Sequence, residues 1–358
     1  MASASDSLDL ENASLLDEIV ELLDMGRDAE VIMLIGQSGA GKSAMLNTIH
    51  RVLTGENYTL TKQGSGHAQS VTLDLGRYDN CGVDLKTIRD DSRREKIAEV
   101  VHKLPHIVDC AGLGDEDSPE LREILERLVG GFIPKGTNIE ALQSKQKEFG
   151  VGCLSKLYPK SNPADTVTKV VFIQSCRTAI PRNLINCLNQ VLKITDPTYL
   201  KRKYTAELFL LISKFDLVRD PSVHISTGSD EESMTLEEFV KEENELAPEF
   251  NIVGALEANR IRWASYTDKI QGRNKYIENI ALKFLRRMVQ PGTPKTDTTE
   301  PVVGTMKTFE LYMFRLSNQI KQFFLQDMQL NITPAWFVTA VVFVVVIAVL
   351  YKLLMSSV

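Results

Sequence analysis

The stretch GQSGAGKS at residues 36–43 constrains this chain more than any other part of it. Gly36 and the run Gly41, Lys42, Ser43 satisfy G-x-x-x-x-G-K-[ST], a loop whose backbone N–H groups cradle phosphates. Its Lys reaches the terminal phosphates and its Ser holds Mg²⁺. Ser38, Gly39 and Ala40 complete the loop and Ala44 follows it. The surroundings fit, because VIMLI at 31–35 is an apolar run of strand type and SAMLNTIHRVL at 43–53 has helical periodicity. The glycines therefore join a buried strand to a helix N-terminus, where phosphate is favoured.

A length of 358 residues and 43% hydrophobic content allow a sizeable core, and a net charge of -6 leaves no basic footprint. No block of Lys and Arg interleaves with aromatics, so nucleic acid is not expected as a partner. Five scattered cysteines, Cys81, Cys110, Cys153, Cys176 and Cys187, show no C-x-x-C spacing and read as reduced thiols of a cytosol-facing protein. The opening MASASDSLDLENAS is acidic and lacks the pattern of a secretory signal.

The other end differs. Residues 335–354 are uncharged until Lys352, and as a helix at about 1.5 Å per residue they match a hydrocarbon core about 30 Å thick. Pro334 suits the first turn, Trp336 and Tyr351 suit the interfaces, and Lys352 suits snorkelling. The expectation is a single transmembrane tail anchor in the endoplasmic reticulum or outer mitochondrial membrane, with the N-terminal part in the cytosol.

Between these ends the chain alternates. Strand-like runs are expected at 31–35, 70–75, 104–109, 168–173, 208–213 and 262–265, with helices at 43–53, 119–129, 181–192 and 236–244. This order implies an α/β fold with a mainly parallel sheet. Residues 1–13 read as a disordered leader, with an amphipathic helix from Ser14 to Met25. Residues 14–289 read as the P-loop domain, with a loop insertion near 130–165 and a last helix over 269–288. A linker follows at 290–304. Met306, Phe309, Met313, Leu316, Ile320 and Phe323 form a stripe that makes 305–330 an amphipathic helix, suited to self-association or to packing on the globular domain.

A P-loop does not choose its base, so the remaining motifs matter. Asp109 to Gly112 reads D-x-x-G at the end of an apolar run, which places a carboxylate for Mg²⁺ and a glycine N–H for the γ-phosphate. Lys214 and Asp216 follow the run LFLLIS directly; an Asp there accepts hydrogen bonds from guanine N1–H and N2, and the Lys stem covers the ring. Ser213 stands where Asn or Thr is usual. Ser265, after RWA, occupies the place of a backbone N–H for guanine O6. Thr72, ahead of Ser70, is the candidate for sensing the γ-phosphate and completing the Mg²⁺ shell.

This ordered set resembles the G domain of the GTPase superfamily. GKSAMLNTIHRVLTG, HAQSVT, IVDCAGLGD, LVGGFIPKG and VVFIQSCRTAI are further similar to the interferon-induced protein 44-like GTPases, over residues 31–218. The resemblance implies a Ras-like fold, GTP or GDP held by the P-loop, and Mg²⁺ at Ser43 and Asp109. A C-terminal anchor is not part of that family's pattern.

In Ras-type enzymes a Gln after the D-x-x-G glycine orients the attacking water, and here that residue is Leu113. The expectation is a membrane-anchored, slow GTPase acting as a switch or self-assembling regulator, through a homodimer of G domains or of the 305–330 helix. No catalytic residue is assigned; Arg177 and Arg182 are candidates for charge compensation. The alternatives are a GTP-binding scaffold without turnover and a P-loop ATPase.

Overall fold

A computed structural model describes residues 4–25, 28–56, 75–86, 88, 91–110, 112–194, 203–219, 234–250, 259–266, 272–291, 311 and 313–319. The chain divides into two compact units, Met1–Lys147 with Val151–Thr305, and Glu148–Gly150 with Met306–Val358.

The first unit is built on a six-stranded sheet. Its strands are β1 (Val31–Ile35), β2 (Gly76–Tyr78), β3 (His106–Asp109), β4 (Lys169–Ser175), β5 (Glu207–Ser213) and β8 (Arg260–Arg262). They lie in the order β2-β3-β1-β4-β5-β8, with β2 antiparallel to β3 and every other neighbour parallel. The short β6 (Val218–Arg219) and β7 (Met234–Thr235) pair separately. This is the arrangement expected of a Ras-like G domain, and it puts the chain reversal at β1, where α/β sheets bind ligands.

The central strands β1, β4 and β5 are largely apolar runs because both faces are covered, whereas β2 and β8 at the edges are short and partly exposed. Ile32, Leu34, Val171, Ile173, Phe209 and Leu211 form one core with α1 (Ala4–Asp24), α2 (Lys42–Thr54) and α9 (Lys275–Val289). On β4, Phe172 has the opposite parity and meets Phe250 edge-on at 5.0 Å. The remaining helices are α3 (Asp91–Ala98), α4 (Pro119–Val129), α5 (Ile139–Phe149), α6 (Cys153–Leu157), α7 (Arg182–Leu192) and α8 (Leu236–Leu246).

Several boundaries depart from the sequence reading. The acidic leader is not disordered from Ala4 onward, because α1 begins there. Its Leu15, Leu16, Ile19 and Leu23 are buried, and its acids meet bases of α9 in the pairs Asp9–Lys275, Glu11–Lys283 and Glu18–Arg286. The insertion near 130–165 is not a plain loop but carries α5 and α6. Buried Glu123 of α4 organises it, accepting from Gly152 N–H at 2.8 Å, Ser155 N–H at 3.2 Å and Gln146 Nε2 at 2.8 Å. The last strand is Arg260–Arg262 rather than 262–265, and the last helix starts at Lys275, where Asn274 caps the N–H groups of Tyr276 and Ile277. The strand expected at 70–75 falls outside the described residues except for Leu75; the strand present there begins at Gly76.

In the second unit residues 313–319 are helical, Leu311 is buried and Leu316 is exposed. Among the described residues no helix is long and apolar enough to cross a membrane, and the segment 335–354 lies outside them. So do most of the linker 290–304 and most of the 305–330 stripe.

Candidate functional site

At the C-terminal end of β1 the chain turns sharply against its neighbour strand. A Cβ on Gly36 would lie 2.3 Å from the Ile173 carbonyl oxygen of β4, so only glycine lets the loop start there. Ala40 N–H donates to Gln37 O at 3.2 Å, and Gly41, at φ 103, ends the loop as the N-cap of α2. Gly41 has no capping side chain, so the first N–H groups of α2 face the space where phosphate would sit.

Lys42 is buried and bends back over the loop, donating Nζ to Gly36 O and Gln37 O at 3.0 Å each. Burial pushes its pKa down, against the attraction of Asp109 and Cys110. Ser43 Oγ donates to Asp109 Oδ2 at 3.1 Å. Asp109, at the end of β3, is 0% exposed and its Oδ1 has no hydrogen-bond partner among the described residues. Burial raises its carboxyl pKa, opposed by Lys42 and by the Ser43 bond. A carboxylate kept inside with one unsatisfied oxygen is costly, and it fits a hard cation held at Ser43 and Asp109. Among the described residues no group of three His, Cys, Asp or Glu side chains gathers elsewhere to hold a metal.

Beyond Asp109 the chain continues alongside β1, with Cys110 N–H on Leu34 O, and folds over the loop, with Leu113 N–H on Gly36 O, both at 3.3 Å. Gly112 rests directly on Ser38: a Cβ there would lie 2.6 Å from Ser38 Cα and 2.7 Å from its N. Leu113 is buried. The Cys110 thiol, pushed up to about 12 by burial, is no nucleophile.

The base end hangs from β5. Ser213 Oγ donates to Ala40 O at 2.6 Å, tying the end of β5 to the phosphate loop. Lys214 then takes a left-handed conformation, φ 64, unusual for a residue other than glycine, and caps a 3₁₀ turn, Phe215–Leu217, that carries Asp216. Phe215 N–H donates to Trp263 O at 3.0 Å, and Trp263 Nε1 donates to Ser265 Oγ at 2.8 Å. Tyr266 N–H donates to Thr48 Oγ1 of α2 at 2.9 Å. The segments of Asp216 and Ser265 are thus fastened to each other and to α2.

The structure therefore gathers Gly36, Ser38, Gly39, Ala40, Gly41, Lys42, Ser43, Ala44, Asp109 and Gly112 at one end of the sheet, with Lys214, Asp216 and Ser265 at the adjoining strand ends. Thr72 and Ser70 lie outside the described residues. Arg182 is not aimed at this site, since its Nε pairs with Glu249 at 2.7 Å on the surface. The sequence reading missed two tethers, Ser213 to Ala40 and Thr48 to Tyr266. A hydroxyl at Ser213 was a visible signal; Thr48, an ordinary helix-interior residue, offered none.

No protein-family model and no curated protein matches the chain, so the resemblance to the interferon-induced protein 44-like GTPases finds no support there. Among solved structures it is similar to Toc33 from Arabidopsis thaliana, crystallised as a dimerization-deficient mutant. The TM-score is 0.35 at 10% identity, covering 77% of this chain and 91% of that chain. So distant a likeness says nothing of chemistry, which rests on the residues themselves.

Proposed function

We propose that this chain binds GTP and GDP with Mg²⁺ in the cleft at the ends of β1, β3 and β5, and that it hydrolyses GTP slowly as a switch on a membrane. The observation that carries the reading is the Ser43–Asp109 pair beneath the phosphate loop, with a buried Oδ1 that has no partner among the described residues. Ser43 and Asp109 would hold Mg²⁺, which when bound neutralises phosphate charge. Lys42, already poised on the loop carbonyls, has only to swing its Nζ onto the phosphates. Asp216 would supply the paired acceptor that guanine offers donors to and adenine does not, and the stem of Lys214, at the start of the same turn, would cover the ring.

Slow turnover follows from Leu113, which is buried and apolar where a water-orienting Gln would be needed. The same residue favours a second reading, a GTP-binding scaffold without useful turnover. The segment 335–354 is assigned as the tail anchor from its apolar length, in which Lys352 near the end is the one charge. An anchor confines copies to two dimensions, which favours pairing of G domains or of the 305–330 helix.

Calorimetry with GDP, GTP, ATP and XTP on the wild type and on Asp216→Asn tests the nucleotide reading. GTP binding without ATP binding, and a shift toward XTP in the variant, is the expected outcome. Equal binding of ATP and GTP would instead make the protein a P-loop ATPase.

A further inference from the structure

We infer that Asp115 is a positioning residue for γ-phosphate recognition, holding the Gly112 turn in place by fastening it to helix α7. The inference rests on the GTP reading above. Asp115 Oδ1 accepts the backbone N–H groups of Asn183 at 2.8 Å and Leu184 at 3.1 Å. Those are first-turn donors of α7, whose N-cap is Pro181 and which has no side-chain cap of its own. A helix start leaves such donors orphaned, and a carboxylate satisfies them well because it also meets the positive end of the dipole. Here the capping group comes from far along the chain, just beyond the D-x-x-G motif.

Asp117 adds a second fastening. Its Oδ1 accepts from Arg122 at 2.9 Å, and its Oδ2 accepts from Asn186 Nδ2 at 2.6 Å and Gln190 Nε2 at 3.3 Å, both on α7. Helix α7 is a firm support, with Leu184, Ile185, Leu188 and Val191 buried. Asn189 Nδ2 also bonds to Glu249 O at 2.9 Å.

At its other end the turn is held by Leu113 N–H on Gly36 O and by Gly112 against Ser38. Between the two supports stands exposed Gly114, where an added Cβ would meet nothing within 4 Å. A glycine in open space gives the turn freedom that has to be removed before a single N–H can meet a phosphate oxygen. Asp115 removes it. GDP has no γ-phosphate and makes no use of that N–H, so the fastening bears on GTP and spares GDP.

A plain helix cap would also explain the two bonds, and the experiment separates the roles. Affinities of GDP and GTPγS are measured calorimetrically for the full chain, together with the melting temperature of the nucleotide-free protein. The variants are Asp115→Ala, Asp115→Asn, which keeps an acceptor oxygen, and Ser118→Ala. Ser118 caps α4 on the same segment, its Oγ accepting from Leu121 N–H at 3.1 Å.

Asp115→Ala is expected to lower the GTPγS-to-GDP affinity ratio about fivefold, with GDP affinity held within about twofold. Asp115→Asn is expected to restore the ratio, and Ser118→Ala to lose a similar melting temperature without moving it. A ratio in Asp115→Ala that is unchanged or raised, or a Ser118→Ala shift of the same size, overturns the inference while GTP binding stands. A wild type that binds neither nucleotide sinks the GTP reading and this inference together.

Discussion

At the phosphate end of the proposed site the functional atoms lie inside the fold, whereas at the base end they ride on a half-buried 3₁₀ turn held by contacts from other elements. Lys42 and Asp109 are both buried and close off the ends of β1 and β3. Lys214 and Asp216 are half-buried and depend on Ser213, Trp263 and Thr48 for their placement. Buried charges with few partners are expensive, so the phosphate end stores a cost that ligand and cation would relieve. The base end carries no fully buried charge and is held by ordinary hydrogen bonds around the left-handed Lys214. Loss of a phosphate-end group should therefore abolish binding, and loss of a base-end group should change selectivity or weaken binding by modest factors.

The largest effect is expected for Lys42→Ala. Removing a charge-assisted donor to two phosphates should weaken both GDP and GTP by about 100-fold or more, read by calorimetry. Nucleotide affinity within about fivefold of wild type would break the comparison at its strongest point. Next in size is Asp216→Asn, where an amide faces guanine with a donor instead of an acceptor. GTP affinity should fall on the order of 50-fold while XTP affinity rises, a change of selectivity and not of phosphate binding.

A pH series sharpens the contrast. Burial raises the Asp109 pKa, so the folded, nucleotide-free protein binds that proton more tightly than the unfolded chain does. In this one group acidification through the raised pKa stabilises the empty fold, and the stabilisation is absent above it. Mg²⁺ needs the carboxylate, so its affinity in the GDP complex should fall as pH drops, beginning above the ordinary carboxylate range, by about tenfold per unit below the pKa. Mg²⁺ titration of the complex at several pH values measures this, and Asp109→Asn should flatten the profile. A wild-type profile that is flat down to the ordinary carboxylate range would show that Asp109 does not hold the cation.

How much of this was legible beforehand divides along the same line. The phosphate end was readable because one contiguous motif specifies loop, helix start, Lys and Ser, and because apolar runs buried on both faces announce their strands. The mainly parallel character of the sheet followed from the alternation of strands with helices. The start of α1 was not readable, since Asp9 and Glu11 look like a solvated leader until Lys275 and Lys283 of a distant helix are placed beside them. Helix α3, DSRREKIA, shows no apolar stripe at all. The turns of α5 and α6 depend on a single buried carboxylate, Glu123, supplied from another helix. Each miss is a tertiary contact overriding local pattern. The base end fell between these cases: Lys214 and Asp216 were visible, and the bonds that hold them were not.

The smallest effect is the one that tests the tether directly. Ser213 Oγ is buried, and its bond to Ala40 O joins the two ends of the cleft. Ser213→Ala removes the donor and leaves the Ala40 carbonyl short of a partner, at a cost of about 1 kcal/mol. If the base end is placed by this bond, part of that cost appears in binding, and GDP affinity should drop about two- to threefold with ATP still excluded, since Asp216 itself is untouched. If the turn is placed by Trp263 and Thr48 alone, the whole cost appears as a lower melting temperature and GDP affinity stays at the wild-type value. Ser213→Thr keeps the hydroxyl and should restore affinity wherever its extra methyl is accommodated. Loop and strand do approach closely here, since a Cβ added at Gly41 would come into ordinary contact with Ser213, 3.5 Å from both its Cβ and its Oγ, and the pair of variants reads whether that approach sets the placement of the proposed base site.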